Sequence, residues 1–132
     1  MKNNFSLRIK KFILVLILLS LIGLSSCTKA GKGGKSTIEG LTKHHTRIIP
    51  FTTVYIKYNT QQLPGTDPSN FNDNVVSDSQ GNYKFSGLEK GNYFLFGIGF
   101  DSAISLPVRG GLPITIKKNG DVVNTDVPIT EL

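Results

Sequence analysis

The stretch that decides the fold is residues 78–101, DSQGNYKFSGLEKGNYFLFGIGFD. Its opening, Asp78 to Gly81, is typical of a turn, because aspartate accepts hydrogen bonds from the backbone that follows it and glycine tolerates a positive φ. Tyr83 and Phe85 then alternate with polar neighbours, which predicts a half-buried strand. A break at residues 87–91 precedes a second segment, rich in aromatic and branched residues. Two such neighbouring strands predict a β-sandwich.

The rest of the chain from residue 36 shows no helical period, and turn residues recur every few positions. Strands are predicted over residues 36–43, 51–59, 74–78, 82–86, 92–101, 112–118 and 122–130, with Asn119-Gly120 as the turn of a hairpin between the last two. About 97 residues suit one domain. The prediction is an all-β fold, a seven-stranded antiparallel Greek-key sandwich, over residues 36–132.

Alternation along each predicted strand indicates which side chains face inward. The predicted core joins aromatic and aliphatic residues of the deciding stretch to residues of the flanking strands. These are Tyr83, Phe85, Leu88, Tyr93 and Leu95 with Ile38, Val54, Ile56, Val123 and Val127.

The pattern D-x-x-G-x-Y-x-F-x-x-L-x-x-G-x-Y-x-L, over residues 78–95, resembles the central motif of carboxypeptidase regulatory-like domains. The resemblance implies a small module with a transthyretin-like (prealbumin-like) sandwich. Some enzymes share the transthyretin fold and end in a Tyr-Arg-Gly tail. This chain ends in Ile129-Thr-Glu-Leu132 and departs from that pattern, so no enzymatic activity is expected.

Residues 1–26 are predicted to be a lipoprotein signal peptide. Four basic residues precede a 13-residue, mostly apolar run over residues 12–24, which is too short to span a bilayer. Leu24-Ser-Ser-Cys27 resembles the lipobox of bacterial lipoproteins, which implies a lipid on Cys27, the only cysteine. Membrane attachment through Cys27 predicts a cell-envelope protein at the outer membrane, with the periplasmic face favoured over the cell surface. An ordinary secretory signal is the alternative.

Charge is unevenly distributed along the chain. The formal net charge is +6, but four of the 15 basic residues and none of the nine acids lie in the predicted signal peptide, which leaves +2 from Cys27 onward. Residues 27–35 are glycine- and lysine-rich and are predicted to be a flexible basic tether. Residues 36–132 carry −1. A nucleic-acid partner is therefore not expected.

Residue types that carry catalysis or bind metal are few. His44 and His45 are adjacent, and neighbours on a strand point to opposite faces, so they are predicted to be surface turn residues. No catalytic residue, metal ligand or cofactor is predicted. Residues 60–80 hold several Asp and Asn side chains, which suit either turn capping or a calcium site.

The strand at residues 92–101 has apolar residues on both faces. If Tyr93 and Leu95 face the core, then Phe94, Phe96 and Phe100 face outward and form a candidate binding surface. Alternatively, a bulge near Gly97 or Gly99 exchanges the two faces, or residues 102–111 cover the aromatic rings.

The function these features favour is a non-enzymatic envelope module that recognises a protein or a glycan. A small-molecule carrier and a calcium-stabilised adhesion module are the alternatives.

Overall fold

The structure is a computed structural model that describes residues 29–131. Cys27 and the predicted signal peptide lie outside these residues. The described part holds a short 3-10 helix, Pro68–Asn70, and the following strands: β1 (Lys32–His44), β2 (Arg47–Ile48), β3 (Thr53–Tyr58), β4 (Asp73–Val76), β5 (Asn82–Leu88), β6 (Gly91–Asp101), β7 (Leu106–Ile116), β8 (Val122–Asn124), β9 (Val127–Pro128) and β10 (Thr130–Glu131). Within residues 29–131, no helix has the length and apolar character needed to cross a membrane.

The strands form two sheets that pack into a sandwich. In the first sheet β1 lies between β2 and β5 and also pairs with β8 and β9; the second has the order β10-β7-β6-β3-β4. The predicted all-β sandwich is confirmed, although residues 29–131 form ten strands where seven were predicted. Pairing is antiparallel except that β8 and β9 run parallel to β1.

The C-terminal segment differs from the single strand predicted over residues 122–130. Asn119-Gly120 does form a turn, in which the N–H of Asp121 donates to the carbonyl of Lys118. The predicted hairpin is nevertheless wrong, because β7 belongs to the second sheet whereas β8 joins the first. The segment then returns to the second sheet as β10, which pairs with β7. It therefore closes one side of the sandwich by contacting both sheets.

The core lies where the alternation pattern predicted. Nine of the ten predicted core residues are at most 4% exposed, and Val123 is partly buried against them. Phe85 and Tyr83 contribute inward rings from β5, and Tyr93 and Leu95 contribute side chains from β6. The inward faces predicted from sequence are confirmed.

The predicted flexible tether is wrong for residues 32–35, because β1 begins at Lys32. Ala30 is already buried, and its carbonyl accepts a hydrogen bond from the side-chain amide of Asn59. Gly34 lies against the backbone of Leu88, where a Cβ would collide with the carbonyl oxygen. Glycine here permits close packing of two strands, whereas composition alone suggested flexibility.

Candidate functional site

The predicted aromatic surface on β6 is largely buried. Phe94 is 8% exposed and Phe96 is 3% exposed, whereas Phe100 is 57% exposed. A continuous exposed aromatic stripe is therefore wrong, and Phe100 alone remains available to a ligand.

A loop outside the core covers Phe96. Phe71, just after the 3-10 helix, stacks on Phe96 with ring centroids 5.7 Å apart and planes 8° apart, and it also contacts Tyr55 at 5.4 Å. The register of β6 with β3 and β7 is continuous, so no bulge exchanges its faces. Residues 102–111 form a turn and the first part of β7, and of these Gly111 lies against the ring of Phe94, where a Cβ would be 2.9 Å from the nearest ring atom. The ring of Phe96 is covered by Phe71, which belongs to the loop between β3 and β4.

The acidic side chains of this loop region make the contacts of turn capping. Asp67 accepts hydrogen bonds from the N–H and hydroxyl of Ser69. Asp78 accepts from the backbone N–H of Gln80 and of Asn82, and its pKa is lowered, chiefly by the hydrogen bond from the Asn82 side chain. These contacts close the turns that lead into and out of β4.

Phe100 borders a cleft at one end of the sandwich. Two segments form this cleft: the chain that follows the β1–β2 turn, and the chain where β6 ends. The cleft has a volume of about 350 Å³ and is lined by Arg47, Ile48, Ile49, Pro50, Phe51, Phe100, Asp101 and Ser102. We call it the end cleft.

The end cleft lies in the most apolar part of the described surface. Five of the eight large apolar residues that are exposed lie on its walls, on the adjoining β6–β7 turn or at the start of β7: Ile48, Phe51, Phe100, Ile104 and Leu106. Exposed apolar residues that cluster in this way are typical of a contact surface.

Backbone conformation fixes the ring of Phe51 outward. Phe51 is 67% exposed and has a φ of 56°, a left-handed conformation that is unfavourable for an aromatic residue. The neighbouring Thr52 is fully buried, and its amide donates to the hydroxyl of Ser77. A Cβ on Gly99 would lie 2.6 Å from the Thr52 hydroxyl, so glycine at this position lets the loop pack on β6. The packed loop holds Phe51 at the rim.

A charged group forms the floor of the end cleft. Asp101 is 1% exposed and accepts from Nδ1–H of His44 at 2.8 Å and from the backbone N–H of Ala103 at 2.9 Å. Nη1 of Arg47 lies 2.9 and 3.1 Å from its two carboxylate oxygens. The hydrogen bond from His44 is the largest cause of the lowered pKa of Asp101. The Arg47 side chain is 52% exposed and presents its guanidinium to the cleft.

The two histidines lie close together, contrary to prediction. His44 is 4% exposed, and its ring centroid lies 4.6 Å from that of His45. The strand ends at His44 and His45 has a φ of 54°, so the alternation rule does not apply between them. The sequence contained a signal for this burial. His44 is an even number of residues from Ile38 on β1, and Asp101 is an even number of residues from Tyr93 on β6, so each lies on the same face of its strand as a buried core residue.

A larger and more open groove, about 690 Å³, lies beside β4 and β5. Most of its polar side chains already have partners: Glu39 pairs with Lys84 at 3.1 Å, and Asp78 binds Asn82. Tyr83 is buried and donates its hydroxyl to the carbonyl of Thr125 at 2.7 Å. Burial raises the pKa of this phenol. The groove therefore offers fewer free contacts than the end cleft.

No protein-family model matches the chain, and no curated protein matches it in sequence. Among solved structures, a crystal structure of a proposed carbohydrate-binding protein from Pseudomonas aeruginosa is similar, with a TM-score of 0.50 and 12% sequence identity. The match covers 77% of this chain and 92% of that chain. At this identity the likeness establishes the sandwich fold alone.

Proposed function

We propose that the chain is a non-enzymatic carbohydrate-binding module and that its ligand site is the end cleft. The observation that carries this proposal is the pair of exposed rings, Phe51 and Phe100, on the walls of a cleft that Arg47 also lines. A sugar has an apolar ring face and several hydroxyls. In this cleft the aromatic rings can contact the apolar face, and Arg47 can donate to the hydroxyls.

Two kinds of contact would recognise the ligand: apolar contact with the aromatic rings and hydrogen bonds from polar side chains. An aromatic side chain supplies a large apolar surface at a small entropic cost. The guanidinium of Arg47 has donors beyond those bound to Asp101 and can donate to sugar hydroxyls, and Ser102 can donate or accept. A volume of about 350 Å³ is near the lower end of ligand pockets. It suits one sugar residue, such as the end of a glycan chain.

Two likenesses bear on this choice. The solved structure of similar fold belongs to a proposed carbohydrate-binding protein. The motif of residues 78–95 resembles carboxypeptidase regulatory-like domains, which supports the sandwich fold but does not distinguish between ligands. A protein partner docking on the same rings is the competing possibility, and it is an outcome of the experiment below.

We further propose that a lipid on Cys27 anchors this module to the outer membrane, on its periplasmic face. Ala30, three residues later, packs against Gly91 at the start of β6, whereas Phe100 and Asp101 lie at its end. The 11 residues of β6 extend roughly 34 Å at about 3.4 Å per residue. A lipid on Cys27 would therefore place the anchor at one end of the sandwich and the end cleft at the other, facing the surrounding glycan.

Glycan binding can be tested with the detergent-solubilised full chain on an array of mono- and oligosaccharides and with solubilised peptidoglycan fragments. We expect saturable binding that Phe51→Ser and Phe100→Ser each weaken at least tenfold without a change in melting temperature. Val122→Ser is the matched control, since Val122 is also 57% exposed but lies on β8. Absence of glycan binding, or equal binding by all variants, overturns the proposal. Capture of a protein that the phenylalanine variants lose would favour the protein-partner alternative.

Anchoring is tested separately by cell fractionation. We expect the parent chain in the outer-membrane fraction and Cys27→Ser in the soluble periplasmic fraction, since the substitution removes the atom to which the lipid would attach. Retention of Cys27→Ser in the membrane to the same extent as the parent would contradict lipid attachment at this residue.

A further inference from the structure

We propose that His44, His45 and Glu131 form a binding site for a late first-row divalent cation of the zinc class. One ligand atom from each of the three residues lies within 4.8 Å of the other two. Imidazole nitrogen and carboxylate oxygen are both ligands that zinc accepts in proteins. This site is distinct from the end cleft, whose lining includes none of the three residues.

The tautomer of His44 leaves one nitrogen ready to bind metal. Nδ1 lies 2.8 Å from an oxygen of Asp101, and Arg47 and the N–H of Ala103 bind the same carboxylate. An aspartate held by these donors is ionised and can only accept, so Nδ1 carries the proton. The hydrogen bond to Asp101 raises the pKa of His44, so a cation at Nε2 would replace a proton there and bind to the lone pair. A histidine whose second nitrogen donates to a carboxylate is the usual arrangement of a metal-binding imidazole.

Nε2 of His44 has no aligned hydrogen-bond partner among the described residues, although it is buried. It lies 3.1 Å from Oε2 of Glu131, but the contact does not have the direction of a hydrogen bond. A cation bound to Nε2 would give this buried atom a partner and could also take an oxygen of Glu131 as a ligand. The ligand atoms of a tetrahedral zinc site, each about 2.0–2.1 Å from the metal, stand at a similar separation.

The turn at the end of β1 supplies the third ligand. His45 has a left-handed backbone with a φ of 54°, which places its ring beside that of His44 instead of on the opposite face of the strand. Such a conformation is unfavourable for a residue with a Cβ and is found where the surrounding structure or a function maintains it. Three protein ligands would leave a fourth position for water or a ligand atom.

Glu131 comes to this site through the C-terminal segment. β10 pairs with β7, with Glu131 opposite Val108, and the buried side chains of Val127 and Ile129 hold the preceding residues in place. The bound cation would join β1 in the first sheet to β10 in the second. We therefore expect the metal to stabilise the closed side of the sandwich as well as to bind there.

Zinc binding can be measured by calorimetry on the metal-free full chain in detergent, with Cys27→Ser present throughout so that the thiol cannot compete. No histidine tag is used. We expect one Zn²⁺ per chain, and a tenfold or greater loss of affinity in His45→Ala and in Glu131→Gln. Both substituted side chains are exposed, so these variants retain the fold. Glu39→Gln is the matched control, because Glu39 lies on β1 and binds Lys84 away from the site.

Cobalt spectroscopy gives a second readout that a purely structural role would not affect. Co²⁺ should produce visible absorption bands that Zn²⁺ abolishes, and these bands should be lost in His45→Ala but kept in Glu39→Gln. Failure of the parent to bind Zn²⁺, or equal binding in all four proteins, overturns the proposal. In that event Nε2 of His44 carries a proton, and an imidazolium joins Asp101 to Glu131.

Discussion

The ring of Phe71 lies nearly parallel to that of Phe96, with planes 8° apart and centroids separated by 5.7 Å. This pair joins an otherwise polar loop to the outer face of the second sheet. It explains why Phe96, which alternation places outside the core, is only 3% exposed. The sandwich therefore has a small second apolar layer beyond its central core.

Phe71→Ser should expose the outer face of β6. Loss of an aromatic pair and of part of the buried apolar area should reduce the free energy of unfolding by about 1–2 kcal/mol. Urea denaturation measures this loss, and increased binding of a hydrophobic dye at low urea reports the exposed rings. Phe51→Ser is the control, since Phe51 is 67% exposed and should change stability little. A Phe71 variant as stable as the parent would show that the loop does not cover β6 in solution.

Phe85→Ala should destabilise the central core strongly. Phe85 is 4% exposed and faces the second sheet, so truncation leaves a cavity that costs about 3–5 kcal/mol. That is a large part of a typical stability of about 5–15 kcal/mol. Thermal and urea denaturation measure the loss. Ser86→Ala, at the outward neighbouring position, should remain within about 0.5 kcal/mol of the parent; comparable losses in both variants would contradict the inward placement of Phe85.

Gly40→Ala should weaken the attachment of the C-terminal segment to β1. A Cβ at this position would collide with the carbonyl oxygen of Thr125, so the two chains must separate, at a cost of about 1–3 kcal/mol. Amide hydrogen exchange checks this directly, since the N–H of Thr125 donates to the carbonyl of Glu39 at 2.9 Å. That amide should exchange faster in Gly40→Ala, while amides of β6 change less. Unaltered protection at Thr125 would contradict the close approach.

Acid should remove a stabilising contribution from Asp126. Its pKa is lowered, first by the hydrogen bond from Lys43, whose Nζ lies 2.6 Å from the carboxylate. A lowered folded-state pKa means that the contribution is present above the unfolded pKa, about 3.9, and is lost as the pH falls through the folded pKa. Because the Asp126 side chain is 45% exposed, the contribution should be below about 1 kcal/mol.

The pH effect is checked by comparing the urea midpoints of the parent and Asp126→Asn. The parent should be the more stable at pH 7, and the difference should shrink at pH 3. The amide oxygen of asparagine can still accept from the N–H of Leu41, as Asp126 does, so this variant removes charge with little other change. A difference that grows on acidification would contradict the sign of the pKa shift.

The alternating pattern of the sequence determined the two-sheet architecture and the central core. Tyr83, Phe85, Tyr93 and Leu95 could be placed inward because neighbouring side chains in a strand point to opposite faces, whatever the partner strand. A break between β5 and β6 was also predicted, over residues 87–91, and in the structure it is shorter, because β5 ends at Leu88 and β6 begins at Gly91. These features depend on contacts within one strand or turn, and a local pattern therefore specifies them.

Only the tertiary structure decided the rest. The pairing of β8 with β1, the cover that Phe71 gives to Phe96, and the meeting of His44 with Asp101 and Glu131 each join residues that are far apart in the chain. Local periodicity sets the face on which a residue lies but not the segment that packs against that face. His44 was predicted to lie at the surface, although its position on β1 relative to Ile38 was compatible with burial, and only the packing of β1, β6 and β10 could show that it meets Asp101.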